Sequence, residues 1–158
     1  MRILQWVRDG TTATYLVGDE GTGVGIVIDP PEDPDELLAE AERLGLTIRH
    51  VFFTADQDFP SLIPFRECGA HVYRGSRSIP RADVTPLLPG CSITIGRLRV
   101  QAEQRSARRV AYHVSEIGDD GRPEPRLDVV PRAQSIAQPA GEYDGYPRSS
   151  FLHSFSRW

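Results

Sequence analysis

The stretch GIVIDPPEDPDELLAEAERLGLTIRHVFFT, Gly25 to Thr54, decides the fold. Gly25 to Ile28 is a short, wholly apolar run, the pattern of a strand covered on both faces. Asp33 to Leu44 then reads as a helix. Asp33 is placed to cap it, Pro34 suits the first helical position, and Glu36 stands three residues past the cap. Leu37, Leu38, Ala41 and Leu44 fall on one face at helical spacing, and Gly45 supplies the C-terminal stop. Ile48 to Phe53 returns to a strand pattern that ends at Thr54. An apolar strand, an amphipathic helix and a second strand in this order set an α/β class.

Upstream, Met1 to Val7 alternates as a strand, and Thr12 to Val17 is rich in the Thr, Tyr and Val that strands favour. Gly18 to Gly23 reads as the hairpin turn between it and Gly25. Downstream, Ser61 to Glu67 is a short helix limited by Pro64, and Ala70 to Tyr73 a strand. Gly75 to Pro89 reads as surface loop. Ser92 to Ile95 and Leu98 to Ala102 form a hairpin, Arg109 to Val114 and Leu127 to Val130 are further strands, and Gly118 to Gly121 is a turn. Gln134 to Pro147 is loop-like. In the tail, Ser149 to Trp158, Phe151, Leu152, Phe155 and Trp158 lie on one helical face, so a helix docking on the body of the protein is expected. No repeat, low-complexity tract or linker interrupts the chain, and residues 1–158 read as one domain.

Bulk properties narrow the function classes. A chain of 158 residues builds a core without staples. Its net charge of −4 argues against a nucleic-acid partner, because phosphate-binding surfaces are rich in Lys and Arg. No apolar run spans a bilayer, and the N-terminus enters a strand pattern directly, so no membrane association and a cytoplasmic setting are expected. Cys68 and Cys91 make no disulfide framework and read as small buried side chains. No nucleophile motif, P-loop or dinucleotide fingerprint is visible.

The order of elements resembles the metallo-β-lactamase fold, and especially its glyoxalase II and persulfide-dioxygenase branch. The matching stretches are Thr12 to Asp19 for the Asn-x-Tyr-Leu-Val strand, Ile26 to Pro30 for the Ile-Asp-Pro-Gly strand end, and Leu44 to Thr54 for the strand ending in Thr. Cys68 to Tyr73 is similar to a Gly-Ala-x-Val-Tyr strand, and Pro89 to Gly96 to a Gly-Asp-x-Ile-x-Leu-Gly hairpin. Gly141 to Trp158 is faintly similar to the branch's Ser-Leu helix region. The resemblance implies an αββα sandwich of metallo-β-lactamase type, shortened at the C-terminus.

The same resemblance implies a zinc site, and there the residues depart from it. After the Thr, the family carries His-x-His-x-Asp-His; in register, the four ligand positions are Ala55, Gln57, Phe59 and Pro60. Such sites need imidazole and carboxylate ligands, at least three from the protein. The next family His falls near Arg105, whose guanidinium is always charged and cannot coordinate. Asp128 is a candidate survivor of the bridging Asp, and the last family His lies beyond the terminal helix, past Trp158. No metal and no cofactor are therefore expected, and no catalytic residue is assigned.

Three functions compete. The favoured one is a non-catalytic member of the fold, a binding or partner protein that has lost zinc-dependent hydrolysis. A homodimer or a protein partner is then in view, with Tyr143, Tyr146, Phe151, Phe155 and Trp158 as contact residues. The second is a hydrolase rebuilt around Asp56, Asp58 and Asp128, carboxylates suited to a hard cation or to acid/base work. The third is an anion-binding module using the Arg105–Arg109 loop, where Arg105 and Arg108 are suited to bidentate contacts with a carboxylate or phosphate. On the fold register, Arg105, Arg108, Asp56 and Asp58 are expected near one another. His50, His71, His113 and His153 show no paired ligand spacing.

Overall fold

The computed structural model describes residues 1–8, 12–55, 62–74, 84–130 and 153–155. Two sheets stack face to face. The first is built from β1 (Arg2–Arg8), β2 (Thr12–Asp19), β3 (Val24–Ile28), β4 (Thr47–Phe53), β5 (His71–Arg74), β6 (Thr85–Pro86) and β11 (His153–Phe155), in the order β11-β1-β2-β3-β4-β5-β6. β1, β2 and β3 pair antiparallel, whereas β3 to β6 run parallel. The second sheet is an antiparallel meander of β7 (Ser92–Ile95), β8 (Leu98–Ser106), β9 (Arg109–Ile117) and β10 (Pro123–Val129).

Helix α1 (Asp35–Arg43) connects β3 to β4, and the short α2 (Ile63–Glu67) connects β4 to β5. Parallel neighbours need such crossovers. The apolar run of β3 is explained by a layer on each side. Val27 faces the helices with Leu37, Ala41 and Phe65, while Ile26 and Ile28 face the second sheet with Val100, Val110 and Tyr112. Each fully buried side chain of this kind is worth roughly 1.5–3 kcal/mol. In α1, Leu37 and Ala41 are buried and Leu38 and Leu44 partly so, the face that the spacing predicts. Gly45 ends the helix with φ of 68°, a value that costs glycine little. No helix among the described residues is long and apolar enough to cross a membrane.

Several expectations need correction. Asp33 is not the helix cap. Pro34 holds that position with no side-chain acceptor, and Asp33 Oδ1 accepts from the Asp35 amide at 3.2 Å instead. β10 begins at Pro123, before the expected Leu127, and the short strand β6 lies in the stretch read as loop. Cys68 and Cys91 are both exposed, because one follows α2 and the other precedes β7, outside the alternating positions that face the core. The tail is not helical over His153–Phe155. It is a strand that docks on its own sheet, pairing Ile3, Leu4 and Gln5 with Phe155, Ser154 and His153. The edge of β1 presents unpaired backbone groups, and a strand satisfies them where a helix does not. Phe151, Leu152 and Trp158 lie outside the described residues, as do Tyr143 and Tyr146.

Candidate functional site

In open α/β sheets, sites form beyond the carboxyl ends of the parallel strands. Here Asp29 directly follows β3 and Thr54 directly follows β4, and the two residues are knotted together. Asp29 donates its amide to the Phe52 carbonyl at 2.9 Å. Its Oδ1 accepts the Thr54 amide at 2.8 Å and its Oδ2 the Thr54 hydroxyl at 2.6 Å. The Thr14 hydroxyl donates to the Asp29 carbonyl at 2.6 Å, which adds β2 to the knot. Asp29 holds a φ of 52°, a region where Asp is among the tolerated residues. Burial pushes its carboxyl up to about 6, against the pull of the two Thr54 bonds.

Beyond the knot, the first sheet is sewn to the second. The Val110 amide donates to the Thr54 carbonyl at 2.8 Å, Ala55 forms an isolated antiparallel bridge with Arg109, and the buried Tyr112 hydroxyl donates to the Phe53 carbonyl at 2.9 Å. Thr54 and Ala55 therefore meet the start of β9. Asp56 and Asp58 lie outside the described residues, with Gln57, Phe59 and Pro60.

The β8–β9 hairpin is tight. Ser106 pairs with Arg109, which leaves only Ala107 and Arg108 in the turn. Arg105 is held along its own strand by Glu103, Nη2 to Oε2 at 3.1 Å. Arg108 is exposed, and its amide lies 3.4 Å from the Ser106 hydroxyl. The donor set does not fit zinc. Ala55 offers a methyl group, Arg105 a cation, and no group of three His, Cys, Asp or Glu among the described residues is placed to hold one ion.

Asp128 lies elsewhere, on the outward face of the four-stranded sheet. Leu98, Val100, Ala102, Val110, Tyr112, Val114 and Val129 point into the sandwich, so their alternate neighbours point out. His113 stands directly opposite Gln101 on β8 and Asp128 on β10. Its Nδ1 is 2.6 Å from Asp128 Oδ1 and its Nε2 is 2.6 Å from Glu103 Oε2. The Asp128 bond foremost raises the imidazole above its usual range; burial opposes this and the Glu103 bond adds to it. Pro89, Gly90, Gln101, Glu103, Gln104 and His113 line a shallow open groove of about 530 Å³ here. Reading residue by residue missed this cluster, because Glu103, His113 and Asp128 meet only through strand register. The signal available was alternation: each occupies an outward position of its strand. His50 lies apart, stacked on Tyr73 with centroids 5.6 Å apart, and burial first and His71 next hold its imidazole below the usual range.

No family model matches the sequence, and no curated protein matches it. Solved structures do. A metallo-beta-lactamase from Staphylococcus aureus superposes with a TM-score of 0.64 at 19% identity, over 77% of this chain and 41% of that one. ETHE1 from Myxococcus xanthus gives 0.60 at 28% identity, over 71% of this chain and 53% of that one. MEM-A1, a subclass B3 metallo-beta-lactamase from a soil metagenome library, gives 0.57 at 15% identity, over 78% and 58%. The chain thus spans about half the length of these proteins. Strand order and these likenesses give the chain the metallo-β-lactamase fold, with ETHE1 among the solved structures it is similar to.

Proposed function

We propose that this chain is a non-catalytic member of the metallo-β-lactamase fold, a binding or partner protein that retains the sandwich and not the hydrolysis. The observation that carries the reading is the seam at Thr54. Thr54 and Ala55, the latter the first of the positions matching the family's ligands, are paired with β9 through the Val110 amide and the Ala55–Arg109 bridge. The ligand positions around it are a methyl group and a guanidinium already paired with Glu103. Two free cysteines, Cys68 and Cys91, accord with a reducing cytoplasmic setting.

The test is metal analysis of protein purified without added metal, followed by turnover assays with a chromogenic β-lactam and a glutathione thioester, each with added Zn²⁺ or Fe²⁺. The expected result is neither stoichiometric metal nor metal-dependent turnover. About one zinc or iron per chain, bound through the loop of residues 54–60, overturns the reading; so does turnover that a chelator abolishes.

A further inference from the structure

The strongest feature that the proposed function leaves unused is the chain of side chains crossing β8, β9 and β10. Both nitrogens of His113 lie 2.6 Å from a carboxylate oxygen. A neutral imidazole has one N–H and one lone pair, so it satisfies one carboxylate and turns a lone pair on the other. Two such short contacts at once require a proton on each nitrogen. We propose that Glu103, His113 and Asp128 form a proton-dependent clasp on the last strand of the four-stranded sheet, closed while the imidazole carries both protons and open once it loses one.

The surroundings fit a clasp. β10 is an edge strand, with a register irregularity between Pro125 and Leu127. Asp128 sits just past that irregularity, one residue before the strand ends at Val129. From there the chain leaves this sheet and returns as β11 on the other. The clasp therefore fixes the point of departure. The groups facing His113 among the described residues are Glu103 from β8, with Arg105 beyond it at 3.1 Å, and Asp128 from β10. Arg126 on β10 is held by Glu116 and Glu124, and Arg99 on β8 donates to Ser92. Ala111 and Ser115, the outward neighbours of His113 on β9, do not titrate. Two carboxylates against one arginine favour the charged imidazole, in line with its raised affinity for the proton.

The sign follows. A histidine whose folded affinity for protons is raised adds stability that is fully present below its unfolded value, ~6.5, and lost as pH rises through the folded one.

Ring NMR titration of the full chain gives the first readout. His113 is expected to titrate above ~6.5, and Glu103→Gln and Asp128→Asn are each expected to lower its midpoint. Amide exchange gives the second. At pH ~6, His113→Gln and Asp128→Asn are expected to speed exchange at Leu127 to Val129 about two- to fivefold, the range that partly exposed ion pairs supply. The strands β3 and β4 should not change. Wild-type protein above its His113 midpoint should show the same loss after correction for intrinsic rates. A midpoint at or below ~6.5 overturns the proposal. So does unaltered exchange in Asp128→Asn, a change at an exposed position that leaves the core intact.

Discussion

Asp19 and Asp29 close the two ends of the same β2–β3 pair, and the protein treats them oppositely. Both residues are buried, at 4% and 8% exposure. Desolvation works against the charge of each, yet it is outweighed only at Asp19, whose carboxyl falls below the usual range. There Gly21 N, Thr22 Oγ1 and Arg97 N all donate, the last from the opposite sheet, at 3.0, 2.8 and 2.8 Å. Asp29 receives only the two Thr54 donors, and desolvation wins. The number of donors set against the depth of burial decides which state of an aspartate the fold prefers.

The largest way to break this comparison is Asp29→Ala. It leaves the buried Thr54 amide and hydroxyl without their acceptor and puts alanine at a φ of 52°. A loss of about 3 kcal/mol is expected, read as a fall in melting temperature of roughly 6–12 °C. A change under about 1 kcal/mol would show that the knot does not hold the sheet.

Asp29→Asn sharpens it. The amide oxygen still accepts the Thr54 amide, and the amide nitrogen donates to the hydroxyl. A carboxyl raised to about 6 adds stability below its unfolded value, and that stability is lost as pH rises through about 6. The wild type should therefore lose on the order of 2–3 kcal/mol between pH ~4 and ~7 through this group, and the variant should not. Asp19 has the opposite sign: its contribution is present above its unfolded value and lost as pH falls through the folded one. Parallel pH–melting curves that differ only by a constant offset would contradict the assignment.

Gly96→Ala tests the Asp19 end. At Gly96 a Cβ would meet Asp19 Oδ2 at 2.5 Å and Thr22 Oγ1 at 2.8 Å, on a φ of 58°. Displacing the carboxylate should cost about 2 kcal/mol by denaturant titration. The smallest effect belongs to Thr22→Val, which removes one donor of three and should cost about 0.5–1 kcal/mol. If it costs as much as Gly96→Ala, the Arg97 bond between the sheets matters less than the turn itself.

Legibility in the sequence follows the range of the forces involved. β3, α1 and β4 are legible because their apolar periodicity reflects the layers they touch, and Gly45 marks its own backbone conformation. The start of β10 was hidden because Pro123 and Pro125 argue against a strand, and only an edge position accommodates them. The tail misleads because Phe151, Leu152, Phe155 and Trp158 fit helical spacing, while the open edge of β1 decides the conformation of His153–Phe155. At the candidate site, the missing ligands can be read from residue identity alone at Ala55 and Arg105. The Glu103–His113–Asp128 cluster cannot, since a shift of one residue in register would turn its members to the other face.

The two prolines of β10 have a consequence for the behaviour of the protein at high concentration. An edge strand with a full row of amide donors is a template on which a second chain can add and a fibril can grow. Pro123 and Pro125 have no amide proton to offer, and the register irregularity after Pro125 twists the strand out of plane. That border of the sandwich is thereby made a poor surface for addition. Restoring ordinary strand formers such as valine or threonine at both positions would lengthen the ladder, and would trade solubility for it.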